Sequence, residues 1–324
     1  MATFVQRGPL QWQAKIRRKG YPMLTKTFEL KADAERWARK IEREMDTGEW
    51  RDTRQADGMT VKELIGRYQA EVTPTKKGAD REVFRLRVLL RAKLAGLAVS
   101  RVRSADVAEF RNLRTKDGAS ANTVRNDLNT LSAVFEWARS DLSFTVENPV
   151  RAVKKPSPGR GRERRLQGGE EQTLLDACSP GMRALVIVAL ETGMRLGELC
   201  VIERQHVDLK RRVARLLDSK NGAARDVPLS SAAVAAIQAL PSALRGPVFG
   251  IASRSATAMF SRTCKRVGIA GLRFHDLRHE AMSRLAERGD FNVLELAAIS
   301  GHKSLSMLKR YTHIEAEKLA KKLG

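Results

Sequence analysis

Between residues 120 and 140, Val124, Leu128, Leu131, Phe135 and Ala138 recur at steps of three and four. Side chains at that spacing share one face of an α-helix, and a face that apolar must be buried against other elements. The surrounding sequence supplies them. Thr60 and Glu63 stand at capping-box spacing ahead of an apolar stripe of Val61, Leu64, Ile65 and Tyr68, which predicts a helix start. A further helix is expected near residues 84–94, Ser104 could cap another, and Asn148 with Pro149 closes the block. Residues 56–152 therefore read as a helical domain.

The chain ahead of this block has a different period. Leu10, Trp12, Ala14 and Ile16 alternate with Gln11, Gln13, Lys15 and Arg17, the pattern of a strand with one wet face. Lys19 and Gly20 suit a turn, residues 23–30 suit a second strand, and Ala34, Trp37, Ile41 and Met45 fall on one helical face. Residues 1–55 read as a small sheet with one helix. Behind the helical block, residues 153–165 mix Pro156, Pro158, Gly159 and Gly161 with four arginines. That composition forbids a regular element and reads as a basic linker.

Residues 166–324 form the last domain. Helices are expected over 170–177, 182–192, 231–240, 256–267, 276–287 and 292–299. Short strands are expected over 207–209, 213–217 and 227–229. Asn221 and Gly222 mark a hairpin between the last two, since Asn-Gly accepts the positive φ of a tight turn. The whole is mainly α with small β elements, an α+β chain.

Lys and Arg total 60 against 37 acidic residues, a formal net charge of +23 over 324 residues. That surplus favours a polyanion, most simply nucleic acid. No apolar run is long enough for a membrane span, and residues 1–7 have no signal-peptide core. The default compartment is cytoplasmic, with no membrane partner. Cys178, Cys200 and Cys264 are odd in number and far apart, and read as small apolar residues under reducing conditions.

Three runs between residues 192 and 313 hold the chemistry: Thr192 to Leu199 around Arg195 and Glu198; His275, Asp276, Leu277, Arg278, His279; and Gly301, His302, then Arg310, Tyr311, Thr312, His313. Arginine forks match phosphate oxygens, histidine moves protons near neutral pH, and a phenol is a nucleophile once its developing charge is stabilised. His275 and Arg278 lie one helical turn apart. His275 and His279 also stand at a zinc-binding spacing, but no Glu follows the first and no third ligand has a recognised spacing. No metal site is expected. There is no Gly-rich loop ending in Gly-Lys-Ser/Thr, and no cofactor is expected.

In order and spacing these runs resemble the signature of the tyrosine recombinases, the phage integrase family, over about residues 165–313. The resemblance implies that Tyr311 attacks a DNA phosphate held by Arg195 and Arg278. It implies that His275 and His302 donate hydrogen bonds to that phosphate. Lys220, at the hairpin tip, would protonate the leaving 5′ oxygen, with Lys210 and Lys265 as weaker alternatives. Glu198 would support Arg195. A 3′-phosphotyrosyl link would conserve the bond energy for rejoining, without metal or nucleotide. By the same resemblance, residues 1–55 would bind arm-type DNA sites and residues 56–152 the core site. The partners would be duplex attachment sites, three further copies in a homo-tetramer, and DNA-bending accessory proteins. Integration or excision of a prophage or genomic island is the expected task. A topoisomerase IB-like enzyme and a non-catalytic DNA-binding protein are the rivals. Two positions depart from the family pattern: Glu280 where a small hydroxyl residue is common, and Ser300 where leucine is common. The tail beyond Tyr311 is short, and its Ile314, Leu319 and Leu323 could form a small apolar face.

Overall fold

The computed structural model describes residues 2–159, 162–217, 224–241, 246–302, 304, 307, 308 and 311. The chain divides into two compact units, residues 1–160 and 161–324.

The first unit opens with an antiparallel sheet of β1 (Ala2–Gly8), β2 (Gln11–Ile16) and β3 (Leu24–Phe28), with β2 in the middle. β1 goes beyond the two strands expected from the alternation. Only Ala14 and Ile16 of the expected apolar set are fully buried, while Leu10 is 64% exposed in the β1–β2 turn. Helix α1 (Lys31–Asp46) covers the sheet with Ala34, Ala38 and Met45. Ile16, Ala38 and Met45 gather Phe4, Tyr21, Trp37, Ile41 and Trp50 around them in a core of their own.

A short turn of helix, α2 (Arg54–Asp57), leads into α3 (Val61–Glu71), α4 (Ala79–Leu90), α5 (Ser104–Lys116) and α6 (Ala121–Ser140). The Thr60 capping box forms as its spacing requires: Glu63 N donates to Thr60 Oγ1 at 3.2 Å, and Thr60 N donates to Glu63 Oε2 at 2.8 Å. α4 starts five residues earlier than expected, and residues 93–96 form a separate 3-10 turn. Ser104 is the first residue of α5, whose N-cap is Arg103. On α6 all five stripe residues are at 0% exposure. Each contributes ~1–3 kcal/mol according to its size.

The second unit is built around α8 (Pro180–Thr192), preceded by α7 (Glu170–Asp176) and followed by α9 (Leu196–Val201). Pro180 opens α8, where its fixed φ and missing N–H cost nothing. The sheet β4 (Val207–Asp208), β5 (Val213–Leu216) and β6 (Arg225–Pro228) is antiparallel, in that order, with Leu216 opposite Arg225. Then come α10 (Ser231–Gln238), α11 (Ser253–Arg266), α12 (Phe274–Arg288) and α13 (Val293–Ser300). Both α10 and α12 pack on α8. α12 begins with a capping box in which Arg273 N donates to Asp276 Oδ2 at 2.8 Å. Among the described residues no helix is long and apolar enough to cross a membrane.

The arginines of the expected linker are not all free. Arg162 pairs with buried Asp276 at 2.9 Å, Arg164 with Glu170 at 2.6 Å, and Arg165 with Glu280 at 3.1 Å. Residues 162–165 are thus fastened to the second unit by charge. Density of arginine argues against burial, but two of the anions, Asp276 and Glu280, come from more than a hundred residues away, and Glu170 stands six residues from Arg164.

Candidate active site

α8 ends at Gly193, whose φ of 62° is the left-handed conformation that closes a helix. A Cβ there would stand 3.2 Å from Met282 Sδ, so the turn also lies tight against α12. The chain re-enters helix at α9 with Arg195 as N-cap and Glu198 three residues on. Glu198 Oε2 accepts from Arg195 N at 2.9 Å, and Oε1 accepts from Arg195 Nη1 at 2.9 Å. One carboxylate therefore starts the helix and holds the Arg195 fork.

Glu198 holds a second arginine. Arg225, on β6, donates from Nη1 and Nη2 to the two Glu198 oxygens at 3.0 and 2.8 Å. This planar pairing is the strong form of the interaction. Burial alone would raise the Glu198 carboxyl. The bonds from Arg225 and from Arg195 outweigh it and hold the group below the usual carboxylate range.

Arg278, on the first turns of α12, is 4% exposed. Its Nη1 donates to Gly193 O at 2.6 Å and its Nη2 to Ser300 O at 2.8 Å. Burial pushes this guanidinium down, and the Arg195 and Arg225 charges add to the push against Glu198 and Tyr311, leaving it at about 10. It still carries its charge at neutral pH.

α13 ends at Gly301 with φ 68°, turning the chain so that His302 faces Arg278. His302 Nε2 lies 3.1 Å from Arg278 Nη2, and Nδ1 lies 2.6 Å from Ser300 Oγ. Ser300 Oγ donates to Leu296 O at 2.6 Å, so it accepts from His302 Nδ1, and Nε2 is left to accept from Arg278. The ring is neutral: burial first, then the Arg278 charge, pushes it down to about 4.

His275 is exposed on the first turn of α12. Its ring meets that of His279 edge to face, 5.1 Å between centroids. The Tyr311 hydroxyl is hydrogen-bonded to His279 Nδ1, and its ring packs among Met282, Leu296 and Leu308. Arg278 feels the Tyr311 charge, so the phenol lies within electrostatic reach of the buried guanidinium.

The fold thus brings Arg195, Arg278, His302 and Tyr311 together, with His275 at the rim beside His279. Lys220 lies outside the described residues, as do Arg310 and the tail from Thr312 onward. Arg225 is the first residue of β6. Lys210 is exposed in the β4–β5 turn, at the other end of β5, and Lys265 is exposed on α11. Two residues of the site have no phosphate role in the sequence. Arg225 stands beside Asp226 at the head of an apolar strand, with nothing local to single it out. His279 was visible beside Arg278, yet its spacing spoke only for zinc. Both departures from the family pattern also have a structural use. Ser300 holds His302, and Glu280, 4% exposed, binds Arg165 and Arg284 and accepts from Leu166 N at 3.1 Å. Among the described residues no three His, Cys, Asp or Glu side chains stand together as a metal site would need.

Counted as charge among the described residues, the pocket has the Arg195, Arg225 and Arg278 guanidiniums against the Glu198 carboxylate. Such a site favours an incoming anion, and the planar forks suit one with several oxygens. Comparison with known proteins agrees. The Phage integrase family model matches residues 164–318, and the Phage integrase, N-terminal domain model matches residues 57–156. The shufflon-specific DNA recombinase of Escherichia coli is 39% identical over 275 residues, spanning 82% of this chain and 72% of the relative. A putative integrase/recombinase of Haemophilus influenzae is 33% identical over 331 residues, 95% of this chain and 86% of the relative. The fold is that of the lambda integrase tetramer bound to a Holliday junction, at a TM-score of 0.65 and 19% identity over 97% of this chain and 98% of that one. The chain belongs to the phage integrase family, the tyrosine recombinases, and is an enzyme that breaks and rejoins DNA strands.

Proposed function

We propose that this chain is a site-specific recombinase working through a 3′-phosphotyrosyl intermediate. Tyr311 Oη attacks the scissile phosphorus while Arg195 and Arg278 neutralise the non-bridging oxygens, where charge accumulates as the bond forms. His302 and His275 supply hydrogen bonds to the same oxygens. For His302 this means exchanging the Arg278 bond for the phosphate, with the proton on Nε2. Lys220 protonates the 5′ oxygen as it leaves. The phenolate is a good enough leaving group for a 5′-hydroxyl of the partner strand to displace it, so rejoining needs no cofactor.

The observation that carries this reading is Arg278. A buried cation whose hydrogen bonds run to backbone carbonyls and a neutral imidazole, beside two more arginines, has no structural economy unless an anion arrives. The test is a suicide substrate run on a denaturing gel. Wild type forms a covalent adduct. Tyr311→Phe forms none and retains DNA binding; an adduct in that variant sinks the assignment.

The working form on this reading is a homo-tetramer on two duplexes, assisted by DNA-bending proteins. The chain's likeness to the lambda integrase tetramer on a Holliday junction supports it. Residues 1–55 serve as the arm-binding module, in which Lys26 stands over the Phe28 ring at 5.3 Å and Lys31 over Trp12 at 5.5 Å. Deleting them weakens distal-site footprints more than the crossover footprint; equal loss at both would remove that role. The task we favour is integration and excision of a prophage or genomic island. The 39% identity to the shufflon-specific recombinase favours a second reading, rearrangement within a resident element. Crossover sites in direct repetition release the DNA between them, and sites in inverted repetition invert it. Mapping the repeats around the gene separates the two.

A further inference from the structure

Nothing in the reading above uses His279. It follows Arg278 on α12, and its Nδ1 is hydrogen-bonded to the Tyr311 hydroxyl. The two rings are tilted by 33° with centroids 6.1 Å apart, and the His275 ring packs edge to face on that of His279 at 86°. A phenol is a poor nucleophile until its proton is removed, and a base must sit within hydrogen-bond reach of that proton. On the reading above His275 and His302 both donate to the phosphate, and His302 Nδ1 is engaged by Ser300. Arg195, Arg225 and Arg278 have no basic lone pair to offer.

We propose that His279 is the general base of this enzyme, taking the Tyr311 phenolic proton on cleavage and returning it on rejoining. This rests on the reading of Tyr311 as nucleophile. As the Oη–P bond forms, the phenolic proton moves to His279 Nδ1. The P–O5′ bond breaks, its electron pair goes to O5′, and O5′ takes a proton from the general acid of that reading. In the return step the 5′-hydroxyl oxygen attacks, gives its proton back to that acid, and the departing phenolate recovers its own from His279 Nδ1. Asp276 stabilises the imidazolium formed in between. It is buried, lies on the same helix, and its carboxylate feels the His279 charge.

Several charged or titrating groups set the pH response. On α12 itself these are His275, Asp276 and Arg278. From the segment after α13 come His302 and Tyr311, and from the segment before α7 comes Arg162, paired to Asp276. A pH profile of wild type alone would mix them, so the variants decide.

The experiment is single-turnover cleavage of a suicide substrate by the full chain across pH, for wild type, His279→Gln, His279→Ala and Tyr311→Phe. Gel shifts report binding. Glutamine keeps a hydrogen-bond acceptor for the phenol and cannot take its proton. The expected result is DNA binding within about twofold of wild type, with cleavage slowed ~10²–10³-fold in His279→Gln. The wild-type rate levels off as pH rises. The variant's rate keeps climbing about tenfold per pH unit, because hydroxide must now do the work. Added imidazole restores part of the cleavage in His279→Ala. Either a His279→Gln profile parallel to that of wild type, or no response of His279→Ala to imidazole, overturns the proposal and leaves His279 a positioning residue. The control keeps the two readings apart. A Tyr311→Phe adduct would refute the nucleophile itself, whereas slow cleavage with Tyr311 still essential tests His279 alone.

Discussion

In the first unit, Asp127 is 2% exposed and meets Arg114 at 3.2 Å, and Glu82 meets Lys76 at 2.8 Å. Each anion has one directly paired cation among the described residues, and Asp127 also feels the charge of Arg85. In the second unit, Glu198 is 5% exposed and meets both Arg195 and Arg225, while Arg278 stands nearby with backbone carbonyls and His302 for partners. The two carboxyls respond in opposite directions. Burial wins at Asp127 and raises it in spite of Arg114 and the more distant Arg85. At Glu198 the two arginines win and lower it in spite of burial. A single ion pair in a core barely offsets desolvation. An excess of cation over anion does more than offset it, and the excess is what an incoming phosphate meets.

The largest effect should come from removing that excess where it is most costly to keep. Arg278→Met is expected to slow suicide-substrate cleavage by ~10³-fold. Its unfolding free energy should move by less than ~1 kcal/mol, since burial already disfavours the charge and the side chain is close in volume. A variant that unfolds would show the guanidinium to be structural and break the comparison.

Next is the anion. Glu198→Gln leaves Arg195 and Arg225 without a counter-charge and should cost ~3–5 kcal/mol of the second unit's stability. Added sulfate should return more stability to this variant than to wild type, because the vacated charge can now be met from solution. Asp127→Asn in the first unit should cost ~1 kcal/mol or less. Equal losses at the two sites, read by urea titration, would mean that the surplus charge is not the difference between them.

The smallest effect is in pH. Unfolded, His302 takes a proton near the ordinary 6.5; folded, only near about 4. Between those values the unfolded chain binds the extra proton, so stability is fully present above pH 6.5 and falls as pH drops through the window. The loss should be on the order of 2 kcal/mol by pH 4, absent from His302→Gln. Glu198 and Glu280, both held low, add a loss of the same sign, but only below the ordinary carboxylate value of 4.5. A variant whose melting temperature still tracks pH between 6.5 and 5 as wild type does would show that another group titrates there.

Local signals in the sequence gave the right elements. The Thr60 and Glu63 spacing produced a capping box, the α6 stripe produced a fully buried face, and His275 and Arg278 share the first turns of one helix. What depended on distance was not readable. Arg225 matters only because β6 brings it to Glu198, and His279 only because the end of the chain brings Tyr311 back over α12. β1 escaped for a different reason: with Val5 at 49% exposure it has no clean alternation, and its place is secured by ladder pairing with β2. Arg162 and Arg165 read as solvent-facing charge because their anions, Asp276 and Glu280, are distant in sequence, whereas Glu170 stands only six residues from Arg164.

Gly301 has no side chain, yet it governs more of this pocket than most residues that do. A Cβ added there would stand 2.8 Å from the Arg225 guanidinium, on a backbone at φ 68° that already disfavours one. Alanine would therefore dislodge the Arg225 fork from Glu198, slacken the grip of Glu198 on Arg195, and tilt the peptide that aims His302. One methyl group would thus act on Arg195 and His302 through Arg225 and the backbone, two steps from the reacting phosphate.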